Sequence, residues 1–260
     1  ATKNPYDNAG YMDIAPDDRG ENIRREICLT LEQMGIYPER SHHEQGPGQN
    51  EIDFRYSDPL TAADNAMTFQ TVVKTVAGCN GLIADFSPKP LADKPGNGFH
   101  INISAKADDN SDYLHQIIAG ILAKVCDMTL FLNPLNCSYQ RFGNDKAPQY
   151  ISWSSENRSQ LIRIPAAVGK YRRAELRSPD PTANSYLAFA LMIYAGLYGI
   201  QNHLQLAEPT DINLYKANAD VLSKFKMLPS SLKDACESAL NSDFIKQHIP
   251  NEILEIYCNR

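Results

Sequence analysis

Closely spaced cysteines, the usual clasp of a metal or a redox centre, are missing from this sequence. Cys28, Cys79, Cys126, Cys137, Cys236 and Cys258 are scattered, without a CxxC pair. Neither a zinc knuckle nor a disulfide scaffold is suggested, and the thiols read as reduced and mostly core. Positive charge is also in short supply: 25 lysines and arginines face 31 aspartates and glutamates, a net charge of -6, so no basic footprint for nucleic acid is expected. No apolar run approaches the ~18 residues of a membrane helix, and the first residues lack the basic-then-apolar order of a signal segment. A cytoplasmic protein is the expectation. Internal repeats, low-complexity tracts and a convincing linker are missing too, so a single domain is expected over residues 1–260, with 43% hydrophobic residues to build its core. The chain opens on Ala1 rather than methionine, as a fragment would.

What is there alternates between two periods. GENIRREICLTLEQMG (20–35) sets Ile23, Ile27, Leu31 and Met34 at helical spacing and stops at Gly35. IDFRYS reads as a strand, and LTAADNAMTFQTVVKTVAG as a helix with Ala66, Phe69, Val73 and Val76 inward. LIADF and HINISA read as strands joined by the loop SPKPLADKPGNG. SDYLHQIIAGILAKVCDMTLFL is a long apolar helix, QLIRIP and RRAELRS are short strands with alternating arginines, and ANSYLAFALMIYAGLYGIQNHLQL is the most buried helix. Residues 207–260 read as polar helices broken at Pro209, Pro229 and Pro250. Hairpins among helices are not the repetition of a parallel sheet; an α+β fold follows, an antiparallel sheet flanked by helices.

The chemistry concentrates in three stretches. In HHEQGPGQNEIDFRY (42–56), Pro47 and Gly48 prevent Glu44 and Glu51 from sharing a helix, and a sharp turn between strands lets both face one cavity. Two carboxylates ~4 Å apart repel by roughly 4 kcal/mol at an effective dielectric of about 20, so a proton, an arginine or a metal must neutralise them. A divalent cation is the economical answer; a solvated hairpin end with incidental histidines is the plainer one. His100 follows the glycine loop GNG and opens a strand, where a side chain can point into a cleft. NRSQLIRIP and GKYRRAELRSPDP gather Arg158, Arg163, Lys170, Arg172, Arg173 and Arg177 around Glu175. In an acidic protein this is a local cationic wall, suited to phosphates and to a carboxylate held bidentately, against the plainer reading of a basic surface patch. Strand parity sets Arg173, Glu175 and Arg177 on one face, and a glutamate among phosphate-binding arginines suits a metal bridging to those phosphates.

Taken in order, HHEQGPGQNEIDFRY, PKPLADKPGNGFHINIS, NRSQLIRIP and RRAELRSPDPTANSYLAFALMIYAGLYGI resemble the catalytic domain of a type I glutamine synthetase over nearly the whole chain. The resemblance implies a glutamine synthetase/guanidino kinase-like catalytic domain over 1–260, without the family's N-terminal β-grasp domain, its Glu-x-Glu strand or its extreme C-terminus. It implies that Glu44 and Glu51 bind the Mg²⁺ or Mn²⁺ that contacts substrate glutamate, and that His100 and Glu175 bind a second ion that bridges to ATP. Arg141, in SYQRF, and Arg177 are implied to hold the substrate carboxylate, with Gly96 in the substrate loop. Arg158, Arg163, Lys170 and Arg173 match phosphate-binding residues, and Tyr56 and Ser104 fall where the family contacts the nucleotide. The implied reaction joins glutamate and ammonia at the expense of ATP through a γ-glutamyl phosphate. The implied assembly is a homododecamer with active sites between subunits, and this chain alone is expected to bind metal poorly and to be inactive or nearly so.

Departures from the pattern open other readings. RFGNDKAP is one residue shorter than the usual segment and presents Asp145 and Lys146 where a flap glutamate deprotonates bound ammonium. Either Asp145 takes that role, or the nucleophile is not ammonium. A glutamate–amine ligase of the γ-glutamylpolyamine type is therefore the second reading, a guanidino kinase a remote one, and a non-catalytic homologue another. Tyr215, in NLYKANAD, reads as structural.

Overall fold

The computed structural model describes residues 4–105, 111–144, 146–166 and 172–259. The chain divides into two compact units, Ala1–Phe86 with Pro90–Gly96, and Ser87–Lys89 with Asn97–Arg260.

In the first unit, α1 (Glu21–Gln33) is followed by the hairpin β1 (Pro38–His43) and β2 (Asn50–Phe54), then α2 (Pro59–Cys79). α1 ends as its sequence requires, with Gly35 at φ +82°, a conformation that costs a residue with a Cβ. α2 starts at a proline preceded by Asp58, whose carboxylate accepts the Thr61 N–H. Ile27 and Leu31 of α1, Ile36, and Val72 and Val76 of α2 form the core. β1 and β2 run antiparallel, with His42 opposite Glu51 and His43 opposite Asn50. The expected strand LIADF is not a strand. Leu82 donates its N–H back to Ala77 O, past Gly81 at φ +73°, so its apolar residue closes the end of α2. Phe86 then packs edge-on against Phe69.

The second unit contains β3 (Ile101–Ile103), α3 (Leu114–Leu132), a 3-10 turn (Asn136–Arg141), β4 (Trp153–Ser154), β5 (Ile162–Arg163), β6 (Ala174–Leu176), α4 (Ser185–Gln201), α5 (Ala219–Leu222), α6 (Leu232–Leu240), α7 (Asp243–His248) and α8 (Asn251–Cys258). The sheet order is β3-β6-β5-β4. β6 is antiparallel to both β3 and β5, as expected, whereas the edge strand β4 is parallel to β5. Ile101 lies opposite Leu176, and Leu176 opposite Ile162. All three are buried in the core with Leu191, Met128 and Phe131. That alternation gives the sheet one apolar face, packed on helices, and one polar face.

α3 and α4 form the centre of this core through glycines. A Cβ on Gly120 would lie 2.0 Å from Ala195 O, and one on Gly199 would lie 2.0 Å from Gln116 O. The backbones approach as closely as only glycine permits. The length and composition of α3 are those of a bilayer-crossing helix, contrary to the run-length expectation, and 61% of its apolar window is buried within the protein. The charges at Lys124 and Asp127 divide the run in sequence.

Candidate active site

The polar face of the four-stranded sheet carries the second unit's chemistry. β-register sets Asn102 and Arg163 on either side of Glu175. Both oxygens of Glu175 are engaged: Oε2 accepts from Arg163 Nε at 2.6 Å, and Oε1 lies 3.2 Å from both the Arg177 guanidinium and His100 Nδ1. Burial alone would raise the Glu175 pKa, but the hydrogen bond and charge of His100, with Arg177 and Arg163, hold it far below the usual carboxylate range. Burial pushes the His100 pKa down despite Glu175. The pair suits a hard cation: ligand atoms at right angles on bonds of about 2.1 Å stand about 3 Å apart, close to the 3.2 Å between His100 Nδ1 and Glu175 Oε1.

Arg141 reaches the same region from the end of the 3-10 turn. Its guanidinium donates to Ser178 O and Pro179 O and lies 3.9 Å from Asp180. Asp180 is itself fixed by Asn133 and Thr182. A Cβ on Gly98 would meet His100 Nε2 at 2.9 Å and Arg141 NH2 at 3.5 Å, so the glycine admits both side chains. The Nε atoms of Arg141 and Arg177 are buried without a hydrogen-bond partner among the described residues. Burial lowers the pKa of both guanidinium groups, against the pull of Asp180 on Arg141 and of Glu175 on Arg177. Two desolvated N–H donors would each be stabilised by an acceptor.

The other arginines stand nearer to solvent. Arg173 donates to Asn102 Oδ1. Arg158 is exposed on the turn 157–160, which Asn157, Ser159 and Gln160 tie to residues 211–214. Ser104 is exposed just beyond β3. Lys146 offers its carbonyl oxygen to Arg177 at 3.2 Å, in a turn closed by Gly143 and Ala147. Asp145 and Lys170 lie outside the described residues.

In the first unit the hairpin brings Glu44 and Glu51 together, and His42 with them. His42 Nε2 lies 3.9 Å from Glu44 Oε1 and 3.8 Å from Glu51 Oε2. This nitrogen is buried with no hydrogen-bond partner among the described residues. One ligand atom from each residue falls within 4.8 Å of the others, so the three fit a divalent cation. His42, incidental in the plainer sequence reading, is a third member of the cluster, and two signals mark it: it shares strand parity with Glu44, and it faces Glu51 across the hairpin. Gln49 donates to Gly96 O at 3.0 Å, which fixes that glycine beside the turn, and Tyr56 is exposed just after β2.

Residues 1–260 match the family model described as glutamine synthetase, catalytic domain. The chain belongs to this family. It is 42% identical over 272 residues to a glutamine synthetase of Clostridium saccharobutylicum, covering 99% of this chain and 61% of the relative. A Staphylococcus aureus (strain MW2) glutamine synthetase is 43% identical, covering 97% and 60%. A solved structure titled GmaS/ADP complex superposes with a TM-score of 0.89 at 28% identity, over 100% of this chain and 64% of that one. The chain thus spans about three fifths of the length of the glutamine synthetases it matches. Membership agrees with the α+β fold expected from the sequence.

Proposed function

We propose that this chain is the catalytic part of an ATP-dependent ligase that makes glutamine from glutamate and ammonia. A glutamate γ-carboxylate oxygen attacks the terminal phosphorus of ATP, ADP leaves, and ammonia then displaces phosphate from the acyl carbon. The observation that carries this reading is the buried Glu175 anion fixed among His100, Arg163 and Arg177, beside two arginine Nε–H groups that lack an acceptor among the described residues. Family membership supports it.

In this reading Arg141 and Arg177 orient the substrate carboxylate, with Gly96 lining the substrate loop. Arg158, Lys170 and Arg173 hold phosphates, Tyr56 and Ser104 flank the nucleotide, and Arg163 keeps Glu175 ionised. His42, Glu44 and Glu51 would hold one divalent ion, and His100 and Glu175 another. Bound Mg²⁺ or Mn²⁺ shields the charge that accumulates as the phosphoryl group moves. The work of the chain is to place the two anions against each other in fixed, dehydrated positions. We assign the complete gene product to the cytoplasm and to a homo-oligomer.

A glutamate–amine ligase is the second reading. Asp145 and Lys146 stand where the resemblance puts the flap glutamate; Lys146, set with its carbonyl on Arg177, supplies no anion for ammonium, so either Asp145 does or the nucleophile is another amine. Phosphate release by the complete gene product, with glutamate, MgATP and either ammonium or larger amines, tests both. Turnover with ammonium supports the first reading, and turnover confined to a larger amine supports the second. ATP-independent behaviour with every amine contradicts both.

A further inference from the structure

We infer that Asp7 is a positioning residue for the hairpin that carries Glu44 and Glu51, an inference that rests on the metal-binding reading of that hairpin. The Asp7 side chain is 1% exposed and sits beneath the turn. Its Oδ1 accepts from the Gly48 N–H at 2.8 Å and lies 3.1 Å from His43 Nε2, and its Oδ2 accepts from the Arg19 N–H at 3.2 Å. The His43 ring is fully buried, and its Nδ1 lies 2.6 Å from the Glu44 carbonyl oxygen. A single carboxylate thus grips the turn at two places. It holds the residue before Glu44 through the imidazole, and it holds Gly48, within the turn, directly. Gly48 has φ +63°, and a Cβ there would touch Pro5 and Tyr6 at 3.4 Å, so the chain segment bearing Asp7 packs against the turn it holds.

Around this clamp the hairpin is closed by Glu44 N–H to Gln49 O at 2.7 Å and Gln49 N–H to Gly46 O at 3.0 Å. The separation of the Glu44 and Glu51 carboxylates follows from the shape of that turn. Like-charged side chains would spread it; a buried carboxylate pulling on its Gly48 amide and on His43 opposes the spread. Asp7 acts through backbone and imidazole rather than on the ion, as outer partners of metal ligands do.

The test is Mn²⁺ titrated into the purified complete gene product, read from the loss of the free-ion paramagnetic resonance signal, with amide exchange at Glu44 and Gly48 as a metal-independent measure. Asp7→Ala is expected to lower Mn²⁺ affinity about 10-fold or more and to speed exchange at those two amides. Asp7→Asn, which keeps one acceptor oxygen, is expected to fall between Asp7→Ala and the wild type. Leu31→Ala destabilises the same unit through its core, away from the turn, and is expected to leave Mn²⁺ affinity unchanged under conditions where it stays folded. If Glu44→Gln abolishes binding while Asp7→Ala leaves it intact, or if Leu31→Ala weakens it equally, the clamp is overturned and the metal reading stands. If the wild type binds no Mn²⁺, or Glu44→Gln changes nothing, the metal reading falls and the clamp with it.

Discussion

Replacing Glu175 by glutamine keeps its shape and removes its charge. The Glu175 side chain is 7% exposed and that of Arg177 3%, while Arg163 retains 21%. Removing one partner of a buried ion pair costs about 3–5 kcal/mol. Because Arg163 can still reach water, the loss should lie near the lower end, about 3 kcal/mol. The effect has a pH signature. The folded-state pKa of Glu175 is depressed, so its stabilisation is fully present above the unfolded carboxyl pKa of about 4.3 and is lost as pH falls below that value. The gap between wild type and Glu175→Gln should therefore be widest near neutrality and shrink as pH drops below about 4.3. Trp153 is the single tryptophan, is buried in the same unit, and donates its indole N–H to Ala207 O. Its fluorescence in urea, followed at several pH values, reads this unfolding directly. A variant as stable as the wild type near pH 7, or a gap that does not change with pH, would refute the assignment of Glu175 as a buried anion held by two guanidinium groups and the His100 imidazole.

Further outcomes follow from the same geometry. Gly120→Ala forces a methyl to within 2.0 Å of Ala195 O; the helices must part, and a net loss of about 2 kcal/mol, overpacking offset by improved helix propensity, is expected in the same tryptophan assay. Gly98→Ala pushes on the His100 ring, 2.9 Å away, in a loop with room to yield. Phosphate release by the complete gene product should fall by about 100-fold, with Trp153-detected stability changed by under about 1 kcal/mol.

Period-two alternation made the polar sheet face legible before any coordinates. Arg173, Glu175 and Arg177 share one side because a strand has no other choice, and Pro47-Gly48 forced a turn between Glu44 and Glu51. His42 carries the same parity signal, but its partner Glu51 lies one residue before the alternating run that begins at Ile52, so the pairing across the turn has no mark in the sequence. β4 escaped notice because two residues, Trp153 and Ser154, have no period, and a parallel pairing across a short loop has no local signature. LIADF misled because an apolar residue that closes a helix end looks like the start of a strand. Asp7 was invisible for a different reason: its partners Gly48, His43 and Arg19 are distant in sequence, and a polar segment without periodicity does not announce what it packs under.

The most direct measurement supplies the complete gene product with glutamate labelled by ¹⁸O in its γ-carboxylate, together with ammonium and MgATP, and reads the isotope in the phosphate released. Transfer of one labelled oxygen to phosphate is the result expected if the γ-carboxylate attacks ATP beside Arg141, Arg177 and Glu175. Glutamine formed with unlabelled phosphate, or ATP consumed without any amide product, would contradict it.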